Sequence, residues 1–435
     1  MGIAIFLVSA AMETGLALHS VATKSDQRKA RGLLRIAALA VFALLTALQV
    51  LQWSFRYYAL ATVLLLLAAT ATVGWLGRAK KERPYRARRV IWKAVAVTAL
   101  LFAASLPAIV FPQHQPLAVT GEYRVATAAY TYIDKGCGDP YADTGESRKL
   151  NVAFWYPEDA AEPGASPLVV FSHGSMGIKT SNESLFRELA SHGYVVCSID
   201  HTHHSLFTVD GDGRTTWIDM GYMGDLRAED AKTDRQKSYA FYRQWMEIRT
   251  ADIDFVIEHI LAQAGKADAG PAYRLVDRCN VAVMGHSLGG SAALGIGRSR
   301  SDISAVIALE APFLCDVQGV EGGEFVWNSQ PYPVPVLNIY SDSAWSHLGQ
   351  WPQYAVNHAL LTGAGDTVHN VHITGIGHLA LTDLSRTSPL ITRTLDGRQS
   401  TKSPEQALGI LNRVCLAFFD CYLKGGNAFV PGKSY

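Results

Sequence analysis

"VAVMGHSLGGSAALG", Val281 to Gly295, decides the fold. The run Val281 to Met284 reads as a buried strand, and the small residues from Ser291 onward read as a close-packed helix. Between them, Gly285-His286-Ser287-Leu288-Gly289 is a G-x-S-x-G turn, the strand-to-helix context in which a serine becomes a nucleophile. Glycines permit the tight, strained turn that lifts Ser287 above the sheet, and the positive end of the following helix favours developing negative charge. The plainer reading is a structural turn; the setting favours Ser287 as nucleophile.

Around this stretch, short β-type runs alternate with helical ones. "KLNVAFWYP", "SPLVVFSHG", "YVVCSIDH", "NVAVMGHS", "ISAVIALE" and "VPVLNIYSD" read as strands, and "NESLFRELASHG", "IRTADIDFVIEHILAQAG" and "SPEQALGILNRVCLAFFDCYLKG" as helices. That alternation predicts an α/β fold, a mostly parallel sheet with helices on both faces, whose chemistry collects at the carboxyl ends of the strands. A general base is expected last in the chain, and His378 in "VHITGIGHLALTDL" sits in a Gly-flanked loop after a strand. His347, His358, His369 and His372 are less loop-like competitors, and a structural histidine bonded to backbone is the bland alternative. The oxyanion hole should use backbone N–H groups, those of Ser175 in "VVFSHGSMG" and of Leu288 after the nucleophile. His201, His203 and His204 in "DHTHHS" tempt a metal reading but lack a partner cluster; a pocket rim or hinge fits them better. "DGDG" at 210–213 lacks EF-hand spacing. No cofactor and no metal is expected.

The first hundred residues have another character. Leu33 to Gln52, Tyr57 to Gly77 and Ala94 to Phe111 are apolar stretches long enough to cross the roughly 30 Å of bilayer hydrocarbon. Met1 to Ala22 is interrupted by Glu13 and His19 but lacks the basic start of a signal peptide, and a fourth span is preferred. The loop with Lys24, Arg28, Lys29 and Arg31 and the loop with Arg78, Lys80, Lys81, Arg83, Arg86, Arg88 and Arg89 are basic, whereas "WSFRYY" has only Arg56. Placing both basic loops in the cytoplasm sends everything after Phe111 outside, to the periplasm or surface of a bacterium. A multi-pass domain at 1–112 is thus followed by a catalytic domain at 113–435. Trp53, Trp75 and Trp92 suit an interfacial belt. Over the whole chain, 39 Lys and Arg against 38 Asp and Glu leave no basic footprint for nucleic acid. All six cysteines follow residue 113, which fits an oxidising compartment without specifying pairs.

In order and spacing, "GEYRVATAAYTYID", "RKLNVAFWYP", "LVVFSHGSMGIKTSNESLFRELASHGYVVCSIDHTHHS", "GHSLGG" and "GIGHLALTDL" resemble the α/β-hydrolases related to plasma-type platelet-activating factor acetylhydrolase. The resemblance spans roughly residues 120 to 425. It implies a calcium-independent serine esterase acting on short or oxidised acyl esters of phospholipids, with Ser287, His378 and the N–H groups of Ser175 and Leu288 in the roles above. It also locates the triad acid after the strand following the elbow, at Glu310 in "AVIALEAPF"; the position used by most other α/β-hydrolases falls on Asp342 in "VLNIYSDSAW". Glu310 is preferred and Asp342 is the alternate. The long connection at about 205–245 suggests a lid, in which Trp217, Met220, Tyr222 and Met223 shape either an acyl site or a satellite core. The expectation is a membrane-anchored serine ester hydrolase with an ester or phospholipid substrate. An acyltransferase or peptidase of the same fold, or an inactive binding or sensor module, is the alternative.

Overall fold

The computed structural model describes residues 2–76, 85–142, 145–363, 365, 367–397 and 399–435. Arg78, Lys80, Lys81 and Arg83 of the second basic loop lie outside the described residues. The chain divides into two compact units, Met1–Gln115 with Arg386–Ile391, and Pro116–Ser385 with Thr392–Tyr435.

The first unit contains α1 (Gly2–Ala22), α2 (Arg28–Ala47), α3 (Phe55–Leu76) and α4 (Ala87–Val110). Among the described residues, these four helices are long and apolar enough to cross a membrane. Phe42, Tyr57, Leu60, Leu64 and Leu101 pack between them, while Leu7, Leu33, Leu66 and Trp92 are exposed. The carboxylate that weakens α1 as a span is buried against α2. Glu13 Oε1 accepts from Arg35 Nε at 2.7 Å, and Arg31 Nε lies 3.8 Å from Glu13 Oε2. Two helix boundaries differ from the sequence expectation. The second apolar stretch is helical from Arg28 and stops at Ala47, where Leu48 caps it and Gln49 takes a left-handed φ of 58°. The last helix begins at Ala87, so Arg88, Arg89 and Lys93 occupy its first turns.

The second unit opens with β1 (Val125–Gly138), β2 (Ser147–Pro157), β3 (Ser166–Ser172), α5 (Glu183–Ser191) and β4 (Val195–Asp200). A small hairpin of β5 (Phe207–Val209) and β6 (Thr215–Trp217) leads to α6 (Met220–Ala228), α7 (Arg235–Ala264) and α8 (Pro271–Leu275). The elbow joins β7 (Val276–His286) to α9 (Leu288–Ser299), and β8 (Ile303–Leu309) follows. After the hairpin of β9 (Val317–Glu321) and β10 (Glu324–Trp327) come β11 (Val336–Tyr340), α10 (Asp342–Trp345), α11 (Ala355–Gly363) and β12 (Val368–His372). The short α12 (Leu384–Thr387) and α13 (Pro389–Asp396), each divided between the two units, precede the long α14 (Pro404–Lys424) of the second.

Eight strands among the described residues form one sheet in the order β1-β2-β4-β3-β7-β8-β11-β12. It is antiparallel at β1–β2 and β2–β4 and parallel from β4 onward. Side-chain alternation splits each strand between two cores. Leu168, Val170 and Val283 join Ile253, Val256 and Ile257 of α7, while Val169, Phe171 and Met284 join Leu185 of α5 and Leu411 and Phe418 of α14. With both faces covered, the central strands read as unbroken apolar runs. This is the expected α/β-hydrolase architecture preceded by a helical bundle. All six cysteines are free thiols. Cys197 and Cys415 lie in the two different cores, on opposite faces of the sheet, and cannot meet.

Candidate active site

Ser287 caps α9 with φ 53° and ψ −125°, a conformation that costs a non-glycine residue about 1–3 kcal/mol. Packing imposes the turn. A Cβ on Gly285 would lie 2.3 Å from the Gly289 carbonyl carbon, and one on Gly289 would lie 2.1 Å from the Ser172 carbonyl oxygen. Only glycine at both positions lets α9 sit this close to the ends of β3 and β7. The Ser287 N–H is tied to the Leu309 carbonyl at 2.8 Å, so the serine is held across to β8 as well.

Glu310 stands directly beyond β8, almost fully buried, with a left-handed φ of 47° that turns its side chain toward the His378 loop. Its Oε1 accepts from His378 Nδ1–H at 2.7 Å, and its Oε2 accepts from the Ser341 N–H at 2.5 Å. Burial pushes the Glu310 carboxyl up, but the bonds and charge of His378 and the Ser341 N–H outweigh it and hold the carboxyl below its ordinary range. Burial likewise pushes His378 down, and the Glu310 carboxylate overcomes it, raising the imidazole above its usual value. With the proton on Nδ1, Nε2 is left with its lone pair.

Asp342 is placed otherwise. It accepts from His372 Nε2 at 2.8 Å and from the Gly375 N–H at 3.0 Å, anchoring the loop that carries His378. His369 is bonded to Tyr422 at 2.8 Å, and His347 to the Ser343 carbonyl at 3.1 Å. His286, inside the motif, was not singled out from the sequence; its Nε2–H donates to the His378 carbonyl at 3.2 Å, and the two rings lie 4.4 Å apart. Further support comes from Ser343 Oγ on the His378 N–H and Asp396 on the Leu379 N–H.

Ser287, His378 and Glu310 share one cavity of about 320 Å³ with Ser175 and Leu288. No Ser287–His378 hydrogen bond is formed among the described residues; such contacts are often loose without substrate and tighten when it binds. Leu288, the first residue of α9, has an N–H with no intrahelical acceptor. Ser175 follows Gly174, where a Cβ would come within 2.7 Å of His286 Nδ1 and 3.2 Å of the Ser287 Cβ. Both backbones thus crowd Ser287.

The 205–245 connection supplies Leu226, Glu229, Tyr242 and Trp245 to the cavity wall. Trp217 and Met220 are exposed, and Tyr222 is buried with its ring stacked 3.9 Å from His204. Its second half is not loop, because α7 begins at Arg235, well before the sequence suggested. Of the "DHTHHS" histidines, His203 is part-exposed, with a left-handed φ of 68° and its Nε2 3.6 Å from Asp139 Oδ2, whereas the other two lie too deep for a rim. His201 and His204 are buried beneath the Ser175 loop, where Asp252 Oδ2 accepts from His201 Nδ1–H at 2.8 Å and His201 Nε2 accepts from Ser172 at 2.8 Å. Arg148 pairs with Asp252 at 2.5 Å, and although burial pushes the Asp252 carboxyl up, the Arg148 charge and hydrogen bonds, with the bond from His201, outweigh it and hold the carboxyl at about 2. Burial, reinforced by the Arg249 charge, pushes His201 down to about 4. Among the described residues, no three His, Cys, Asp or Glu side chains are grouped to hold a metal ion. Arg249 and Asp252 escaped the sequence reading, although both fall on the buried face of α7 with Met246, Ile253 and Val256.

Comparison with known proteins follows the same lines. Residues 145–210 match the family described as platelet-activating factor acetylhydrolase, isoform II. The platelet-activating factor acetylhydrolase of Cavia porcellus is 24% identical over 269 residues, 59% of this chain and 57% of that protein. Its counterpart in Gallus gallus is 22% identical over 302 residues, 63% of this chain and 65% of that protein. The chain therefore spans about three fifths of the length of these relatives. A solved ferulic acid esterase from Streptomyces cinnamoneus superposes with a TM-score of 0.55 at 21% identity, covering 72% of this chain and 95% of that one, and shares the fold.

Proposed function

We propose that this α/β-hydrolase, a relative of the platelet-activating factor acetylhydrolases, is a membrane-anchored serine ester hydrolase. Ser287 Oγ attacks the ester carbonyl while His378 Nε2 takes its proton; the C–O bond to the alcohol breaks and that proton leaves with the alcohol. Water, deprotonated by the same imidazole, then releases the acyl group and restores Ser287. Glu310 fixes the tautomer and stabilises the imidazolium, and the N–H groups of Ser175 and Leu288 receive the oxyanion. The observation that carries this reading is the 2.7 Å Glu310–His378 bond in the cavity that the strained Ser287 enters.

A short-chain ester, including an acetylated phospholipid, suits a cavity near the small end of the roughly 300–1,000 Å³ usual for ligand pockets. The 205–245 segment acts as its lid, and the four apolar helices anchor the enzyme with the hydrolase domain on the external side. The test is a fluorophosphonate probe applied to membranes carrying the wild type or Ser287→Ala, followed by assays on nitrophenyl acetate and acetylated phospholipid. Labelling and turnover should vanish with Ser287→Ala. A wild type that neither labels nor hydrolyses any ester refutes the reading.

A further inference from the structure

Arg249 is wholly buried on α7, and among the described residues no carboxylate forms an ion pair with it. The acid one turn along, Asp252, is taken by Arg148 and His201. The guanidinium instead donates Nη1–H to the His173 carbonyl at 2.5 Å and Nε–H to His204 Nδ1 at 3.3 Å, while Nη2 is buried without a hydrogen-bond partner. An uncompensated buried cation costs several kcal/mol, so a residue that served only packing would be a poor choice here. What it touches is the segment between β3 and the nucleophile. His173, held from behind, donates Nδ1–H to the Gly174 carbonyl at 2.6 Å, and that peptide unit is the one whose N–H belongs to Ser175. The tautomer is fixed, since His173 Nε2 accepts from the His201 N–H at 3.4 Å and lies 2.8 Å from Ser205 Oγ. Burial, reinforced by the Arg249 charge, also keeps both His173 and His204 well below their ordinary pKa, so they stay neutral and can accept.

We propose that Arg249 is a positioning residue for the oxyanion hole: it pins the His173 carbonyl, His173 orients the Gly174–Ser175 peptide, and the unpaired cation adds positive potential behind the Ser175 N–H. This rests on the serine hydrolase reading. A hydrogen bond that orients a peptide plane and a charge in a dry interior both act on negative charge as it develops, so the effect belongs to the chemical step and not to ground-state binding.

The test uses the full chain in membranes, with Arg249→Lys and Arg249→Met, on an oxoester and the matching thionoester. A thiocarbonyl sulfur is a larger and weaker acceptor, so a well-aligned oxyanion hole strongly favours the oxoester. Loss of one direct donor costs about 10²–10³ in kcat, and loss of alignment should cost at least tenfold. The expected result is an oxoester kcat lowered tenfold or more in Arg249→Met with KM little changed, and an oxoester-to-thionoester ratio that collapses toward one. Arg249→Lys, which keeps the charge, should recover part of the ratio. An unchanged ratio overturns the proposal whatever happens to the rates, and so does failure of both variants to fold. If Ser287→Ala still turns over ester, the serine hydrolase reading itself has failed, an outcome separate from these.

Discussion

Glu310→Gln is the sharpest perturbation of the site. The volume is unchanged, but the two oxygens of Glu310 have different duties, Oε2 toward the Ser341 N–H and Oε1 toward His378 Nδ1–H. An amide has one oxygen, and the backbone N–H of Ser341 can only donate. The amide oxygen therefore stays with Ser341, and the NH₂ group faces Nδ1. That forces Nδ1 to accept and moves the imidazole proton to Nε2, where it blocks proton transfer from Ser287. The charge is lost as well. Opposite charges about 4 Å apart at an effective dielectric of roughly 20 interact by about 4 kcal/mol, and losing this from the transition state slows it roughly a thousandfold. The tautomer error adds to that, since the equivalent exchange in a serine protease triad costs about 10⁴ in kcat. A fall in kcat of about 10³–10⁴ with KM almost unchanged is expected in steady-state hydrolysis of nitrophenyl acetate. The pH profile gives an independent check. His378 must be neutral to accept a proton, so activity is lost as pH falls through its pKa, which Glu310 holds above 6.5. The acid limb of kcat/KM should lie above that value in the wild type and move down in Glu310→Gln, where burial acts without the carboxylate. A loss under about tenfold with no movement of the acid limb would refute the assignment of Glu310.

Three further outcomes are expected. Asp342→Asn removes the charge from His372 and weakens one anchor of the His378 loop, so kcat should fall by no more than about tenfold, with the acid limb in place; a loss as large as that of Glu310→Gln would transfer the acid role to Asp342. Gly289→Ala puts a methyl group against the Ser172 carbonyl and should lower stability by about 1–3 kcal/mol, lowering Tm by several degrees and abolishing probe labelling; a native melting curve with full labelling would contradict the packing argument. Reporter fusions after Gly77 and Phe111 should read cytoplasmic and external respectively, and a cytoplasmic reading after Phe111 would reverse the proposed topology.

What the sequence disclosed follows how local each signal is. The elbow is written in consecutive residues, and β7 and α9 form around Ser287 as their apolar and small-residue runs dictate. Glu310 was reachable by resemblance alone, because no residue pattern announces a glutamate that takes a left-handed φ of 47° to meet a histidine 68 residues later. The network beneath the Ser175 loop was illegible for a different reason. Ser172, His201, Arg148 and Asp252 come from separate parts of the chain, and only the fold makes them neighbours. The one trace is the pair of charges on the core face of α7, where periodicity called for apolar residues. The early start of that helix was hidden too, since "RQKSYAFYRQWME" mixes charge and aromatics without a clean repeat.

The pairing of Glu13 with Arg35 has a consequence for how the first unit reaches its place. In the membrane-spanning arrangement proposed above, α1 alone would carry a bare carboxylate midway along its length, at a cost of about 2.5–3.5 kcal/mol, and α2 alone would carry Arg35. Together, the 2.7 Å contact lets each cancel the other. In that arrangement the unit that would partition into lipid is the pair of helices and not α1 alone, so the carboxylate that counts against α1 as a separate span would not count against the hairpin.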